Sequence, residues 1–123
     1  MLRVEPTHDK EILNRLHGAI FGVTYPKDIG FLLYYKDTAV GIADIKADAK
    51  ESEIIAIGIV PEERGKGWGD FLTRVIMDRL TTVSQSIYVR YKSDYFVKFG
   101  FREEEGGMRI ESKDIKFPSK CRS

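Results

Sequence analysis

The chain has 123 residues, 42% of them hydrophobic and 11% aromatic, with a formal net charge of +1; one domain over residues 1–123 is expected and general disorder is excluded. It lacks the basic excess of a nucleic-acid binder, and its longest apolar run, Phe31 to Tyr35, is too short to span a bilayer. No leader-like segment opens it and the lone Cys121 cannot form an internal disulfide, so a soluble, cytoplasmic protein is expected.

In chain order, Leu2 to Val4 reads as a strand halted by Pro6. Ile12, Leu13, Leu16 and Ile20 recur at helical spacing, with Thr7 or Asp9 as the cap. An irregular stretch follows from Gly22 to Gly30. Strands are predicted over Phe31 to Tyr35, Ala39 to Ala47 and Glu53 to Val60, with polar turns at Lys36-Asp37-Thr38 and Asp48 to Ser52. Their hairpin spacing makes an antiparallel meander. Phe71, Leu72, Val75, Ile76 and Leu80 mark one face of a helix ending near Thr82, and Ser86 to Tyr91 is the next strand. A helix separates that strand from Glu53–Val60, so the two should lie parallel. A short helix over Tyr95 to Phe99 is stopped by Gly100, and Phe101–Glu103 with Met108–Ile110 forms a hairpin around Gly106-Gly107. The sum is an α/β chain with a mixed sheet and flanking helices.

Between the third meander strand and its helix lies R-G-K-G-W-G, Arg64 to Gly69. Three glycines in five positions uncover a row of backbone N–H groups at a helix start, beside Arg64 and Lys66, an arrangement suited to phosphate oxygens. A plain surface turn is the alternative, but it has no use for three residues that each cost backbone entropy. A P-loop would need Ser or Thr after Lys66, where Gly67 stands. A dinucleotide fingerprint counted from Gly65 and Gly67 would need glycine at Asp70. Asp70 itself mildly opposes an anion at the helix start.

What fits is R-x-x-G-x-G at Arg64, Gly67 and Gly69, preceded by V-P-E-E, with Lys98-Phe99-Gly100-Phe101 thirty-odd residues on. This pair of motifs resembles the GNAT superfamily of acyl-CoA-dependent N-acetyltransferases, over Glu53 to Phe101 by motif and over the rest by the order of strands and helices. The resemblance implies that acetyl-CoA is the cosubstrate, without a metal, and that the acetyl group passes directly to a primary amine on a small molecule or protein. It implies a V between Glu53–Val60 and its parallel neighbour, with pantetheine along Ile57, Gly58 and Ile59. Pyrophosphate would lie on Arg64, Gly65, Lys66, Gly67, Trp68, Gly69 and Asp70. A homodimer is compatible with it. Gly58 independently suggests a bulge or a close backbone approach, and Trp68 is read as an anchor for the helix.

Direct transfer needs a neutral amine. A lysine-like amine is neutral about once in 2,500 molecules at pH 7, a deficit of about 4.6 kcal/mol that a base must offset. Glu53 stands where the histone-acetyltransferase branch carries its catalytic glutamate, and strict alternation puts it on one face with Ile55, Ile57 and Ile59; a solvated strand-start carboxylate is the other reading. The glutamate used by the branch acting on protein N-termini is replaced by Tyr88. The family's acid tyrosine falls at Phe96, one position after Tyr95, so Tyr95 or Tyr91 is a substitute, with packing aromatics as the alternative. These departures motivate a second reading, a domain that binds acyl-CoA as a sensor or partner module. His8 and His17 are read as surface or half-buried residues, not ligands, and Glu103 to Glu105 as a solvated hairpin edge.

Overall fold

The structure is a computed structural model that describes residues 1–118. Among these the order is β1 (Leu2–Thr7), α1 (Lys10–Phe21), β2 (Gly30–Tyr35), β3 (Thr38–Lys46), β4 (Glu51–Ile59), α2 (Trp68–Val83), β5 (Ser86–Val89), α3 (Asp94–Val97), β6 (Arg102–Glu104) and β7 (Gly107–Glu111), with 3₁₀ turns at Pro61–Glu63 and Ser112–Asp114. The strands are hydrogen-bonded in the order β1-β2-β3-β4-β5-β7-β6. β4 and β5 are parallel, whereas β1–β2, β2–β3, β5–β7 and β6–β7 are antiparallel. This is the mixed sheet with flanking helices that the residue pattern predicts. By internal contacts the chain divides into two units, Met1–Ile45 with Ala56–Ile76, and Lys46–Ile55 with the chain from Met77 onward.

In the first unit, Asp9 caps α1 by accepting from the N–H groups of Glu11 (3.1 Å) and Ile12 (3.3 Å). Gly22 closes the helix in the left-handed region, φ +82°, its N–H donating to Gly18 O. Leu13 and Leu16 are buried with Tyr25, Leu32, Ala39 and Ile42, and Ile12, Ile20, Tyr34 and Val60 pack around them. Pro6 does not halt the first strand. β1 runs on through Pro6↔Phe31 to Thr7↔Gly30, and a strand at the end of the order can carry a proline without losing a ladder bond. His17 is not a surface residue either: it is 7% exposed, its Nδ1 within 2.8 Å of Val23 O, beside the Phe21 and Tyr25 rings.

Tyr25 and Asp44 form a buried polar pair in this unit. The Tyr25 hydroxyl lies 2.8 Å from Ile29 O and 3.4 Å from Asp44 Oδ1, and Lys27 Nζ holds the same carboxylate oxygen at 2.6 Å. Burial, then the charge of Asp44 and its hydrogen bond, push the Tyr25 phenol far above its ordinary value of 10.0. The folded state therefore keeps its proton where the unfolded chain loses it. That contribution is full below about pH 10 and is withdrawn progressively as pH climbs above it. Stability of the wild type is expected to fall more steeply above pH 10 than that of Tyr25→Phe, as read by denaturant unfolding from pH 8 to 11.

In the second unit, β4 pairs with β5 from Glu51↔Ser86 to Ile54↔Val89, and the Arg90 N–H adds a last bond to Ile54 O at 3.0 Å. β5 thus ends at Val89 rather than Tyr91. The chain then turns to start α3, where Ser93 Oγ accepts from Tyr95 N at 3.2 Å and the Ser93 N–H points at Met108 Sδ. α3 begins at Asp94 and ends at Val97, earlier than Phe99, and Gly100 follows at φ +104°. Phe96, Phe99 and Phe101 are buried with Ile87, Val89, Met108 and Ile110, the Phe96 and Phe101 rings meeting edge-on at 5.3 Å. Cys121 lies outside the described residues.

Candidate active site

The glycine loop belongs to the first unit. Its backbone explains two of its three glycines: Gly65 and Gly67 sit at φ +86° and +82°, with open space where a Cβ would be, a conformation that side-chain-bearing residues adopt at a cost of about 1–2 kcal/mol. α2 opens immediately at Trp68, and the Phe71 N–H returns to Gly67 O at 3.2 Å. The first-turn N–H groups ahead of it have no partners inside the helix and carry the positive end of its dipole. Gly69 is different. Its φ is ordinary, and a Cβ there would only touch Ile59 at 3.6 Å, so packing within the chain does not demand glycine.

The side chains around the loop are committed. Arg64 Nε donates to Ile59 O at 2.9 Å, tying the loop to the end of β4. Lys66 Nζ pairs with Glu63 and stands 4.9 Å from the Trp68 ring. Trp68 stacks on Tyr35 at the end of β2, centroids 4.7 Å apart and planes 28° apart, which is the anchoring contact expected of it. Asp70 is ion-paired with Arg74 at 2.9 Å, one turn along α2, so its charge does not stand alone at the helix start.

Along β4 the period of two breaks. Ser52 and Ile54 are buried, and the next fully buried position is Ile59, an odd interval away. Ser52 hydrogen-bonds Ser84 just beyond α2, whereas Ile59 lies against Gly69 in the first turn of α2. Gly58 has a local cause: a Cβ there would stand 2.5 Å from Ile20 Cγ2 and 3.1 Å from Phe21 Cζ. The close approach it signals is made by α1, and Ile57 beside it is half-buried.

Glu53 and Tyr95 fall in the second unit. Glu53 is ion-paired with the Arg90 guanidinium; their side chains are 23% and 55% exposed. Tyr95, in the first turn of α3, packs edge-on against Phe96 at 5.2 Å and under Lys98 Nζ at 4.4 Å. Tyr91 crosses Phe96 at 5.8 Å, and burial raises its phenol above the ordinary range. The Tyr88 hydroxyl donates to Glu105 O at 3.0 Å. The structure thus gathers all the cofactor-binding candidates in one unit and both catalytic candidates in the other. Arg90 and Tyr35 carry no sequence signal, because each acts through a register or ring contact; Arg74, four residues after Asp70, could have been found by helical spacing.

The chain has the GNAT-superfamily fold. It is similar to Naa50 of Arabidopsis thaliana, solved with a bisubstrate analogue CoA-Ac-MVNAL, at TM-score 0.66 and 22% identity over 82% of this chain and 83% of that one. It is also similar to a GNAT-family acetyltransferase from Brucella melitensis in complex with acetyl-CoA, at 0.70 and 12% over 90% and 88%. The ribosomal-protein-S18-alanine N-acetyltransferase of Escherichia coli matches at 0.69 and 14% over 89% of each chain. No protein-family model matches the sequence, and no curated protein matches it. Among the described residues, no helix is long and apolar enough to cross a membrane, and no His, Cys, Asp and Glu side chains cluster as a metal site.

Proposed function

We propose that the protein is an acetyl-CoA-dependent N-acetyltransferase acting on a primary amine of a small molecule or protein. The single observation that carries this reading is the pair of left-handed glycines, Gly65 and Gly67, opening directly into α2, on the fold shared with acetyltransferases of which one was solved with acetyl-CoA and another with a CoA bisubstrate analogue. Backbone N–H groups from Arg64 to Asp70 hold the diphosphate, and Ile57 to Ile59 run beside the pantetheine. The amine nitrogen attacks the thioester carbonyl carbon, Glu53 takes the amine proton directly or through water, and the C–S bond breaks. The coenzyme A thiolate is protonated by Tyr95 or by water.

The test is free-thiol release from acetyl-CoA over peptides with free amino termini, lysine-containing peptides, spermidine and amino acids, alongside calorimetry of acetyl-CoA binding. Glu53→Gln is expected to lower kcat by about 100-fold with acetyl-CoA affinity unchanged; a wild-type rate in that variant would remove Glu53 from the chemistry. Tyr88 in place of the N-terminal branch's glutamate and Phe96 in place of the acid tyrosine favour a second reading, a module that binds acyl-CoA without turnover. Binding with no thiol release from any amine would select it.

A further inference from the structure

We propose that Arg90 is a positioning residue that holds the Glu53 carboxylate in place for the amine proton. The inference rests on the reading of Glu53 as the base. Arg90 makes two bonds to consecutive residues of β4: its backbone N–H closes the last bond of the parallel pair on Ile54 O at 3.0 Å, and its guanidinium reaches back to Glu53. The position that ends β5 pairing therefore also fixes the carboxylate. Directly across from Glu53 the register places Tyr88 and then Arg109, but neither serves it. The Tyr88 hydroxyl is turned to Glu105 O at 3.0 Å, and the Arg109 guanidinium is held by Glu51 at 2.6 Å and Glu111 at 2.8 Å. The diagonal partner, Arg90, is the cation that Glu53 meets, at the spacing where long side chains on neighbouring strands still touch.

The assignment separates function from stability. The backbone bond to Ile54 O survives any side chain at position 90, and an ion pair this exposed contributes little to folding. Substitution at Arg90 should therefore leave the fold and cofactor affinity alone while loosening Glu53. Misplacing a reacting group by an ångström is enough to slow a reaction severely.

The experiment compares wild type, Arg90→Gln, Arg90→Lys and Glu53→Gln with acetyl-CoA and two acceptors, an MVNAL pentapeptide and spermidine. Arg90→Gln is expected to lose about tenfold in kcat with acetyl-CoA affinity by calorimetry unchanged, and Arg90→Lys to recover most of that loss. Arg90→Gln at the wild-type rate beside a slow Glu53→Gln would overturn the role of Arg90 alone. Both variants at the wild-type rate would overturn the reading of Glu53 and this role with it. Wild type that binds acetyl-CoA but releases no thiol with any amine would overturn the reading of Glu53 as the base and this role with it.

Discussion

Replacing Gly65 and Gly67 together by alanine is expected to lower the affinity for acetyl-CoA by about 100-fold or more while the protein stays folded. Both residues lie at positive φ with nothing near a would-be Cβ, so the substitution introduces conformational cost rather than a clash, about 1–2 kcal/mol at each position. Against a typical domain stability of about 5–15 kcal/mol, that leaves the fold standing. The damage falls on the proposed phosphate seat. Escaping the left-handed region re-aims the N–H groups, and a hydrogen bond to a charged group contributes about 1.5–3 kcal/mol. Losing two gives at least the 100-fold. Calorimetry with acetyl-CoA reads the affinity, and circular dichroism reports the fold; wild-type affinity in the folded double variant would dismiss this loop as the diphosphate site.

The second large effect is on stability. Gly107→Ala is expected to destabilise the protein by about 3 kcal/mol, a fall in Tm on the order of 10–15 °C for a domain of this size. A Cβ at position 107 would overlap the Val89 carbonyl oxygen and stand 2.6 Å from the Tyr88 hydroxyl. The hydroxyl could swing away, but the carbonyl belongs to β5, which is paired with β7 through Tyr88↔Arg109 and Val89↔Met108. Relief therefore means breaking that ladder. Thermal melts decide the matter, and an alanine variant melting within a couple of degrees of wild type would mean that β5 and β7 are not packed as described.

The meander, the parallel pair and the glycine loop are legible in the chain because each rests on local rules: alternation, the need for a crossover helix, and residues without a Cβ where φ is positive. What escapes is set by partners distant in sequence. Pro6 reads as a stop, but its position at the end of the strand order makes it tolerable. Gly58 suggests a close neighbour without revealing that the neighbour is Ile20 of α1. The change of burial parity along β4 between Ile54 and Ile59 leaves no mark on composition. The same limit hides the Glu53–Arg90 pair, which exists only in one register of β4 on β5. His17, one helical residue among several, is drawn inside by Phe21 and Tyr25.

The ring stack of Trp68 on Tyr35, together with the Arg64 tether to Ile59 O, has a kinetic consequence. Both ends of the glycine segment are moored before any ligand arrives, so its ordering entropy is spent during folding and not at encounter. Capture of a nucleotide-bearing thioester should then behave as docking onto a rigid berth, with a single-phase association rate linear in ligand concentration and no plateau from a slow rearrangement.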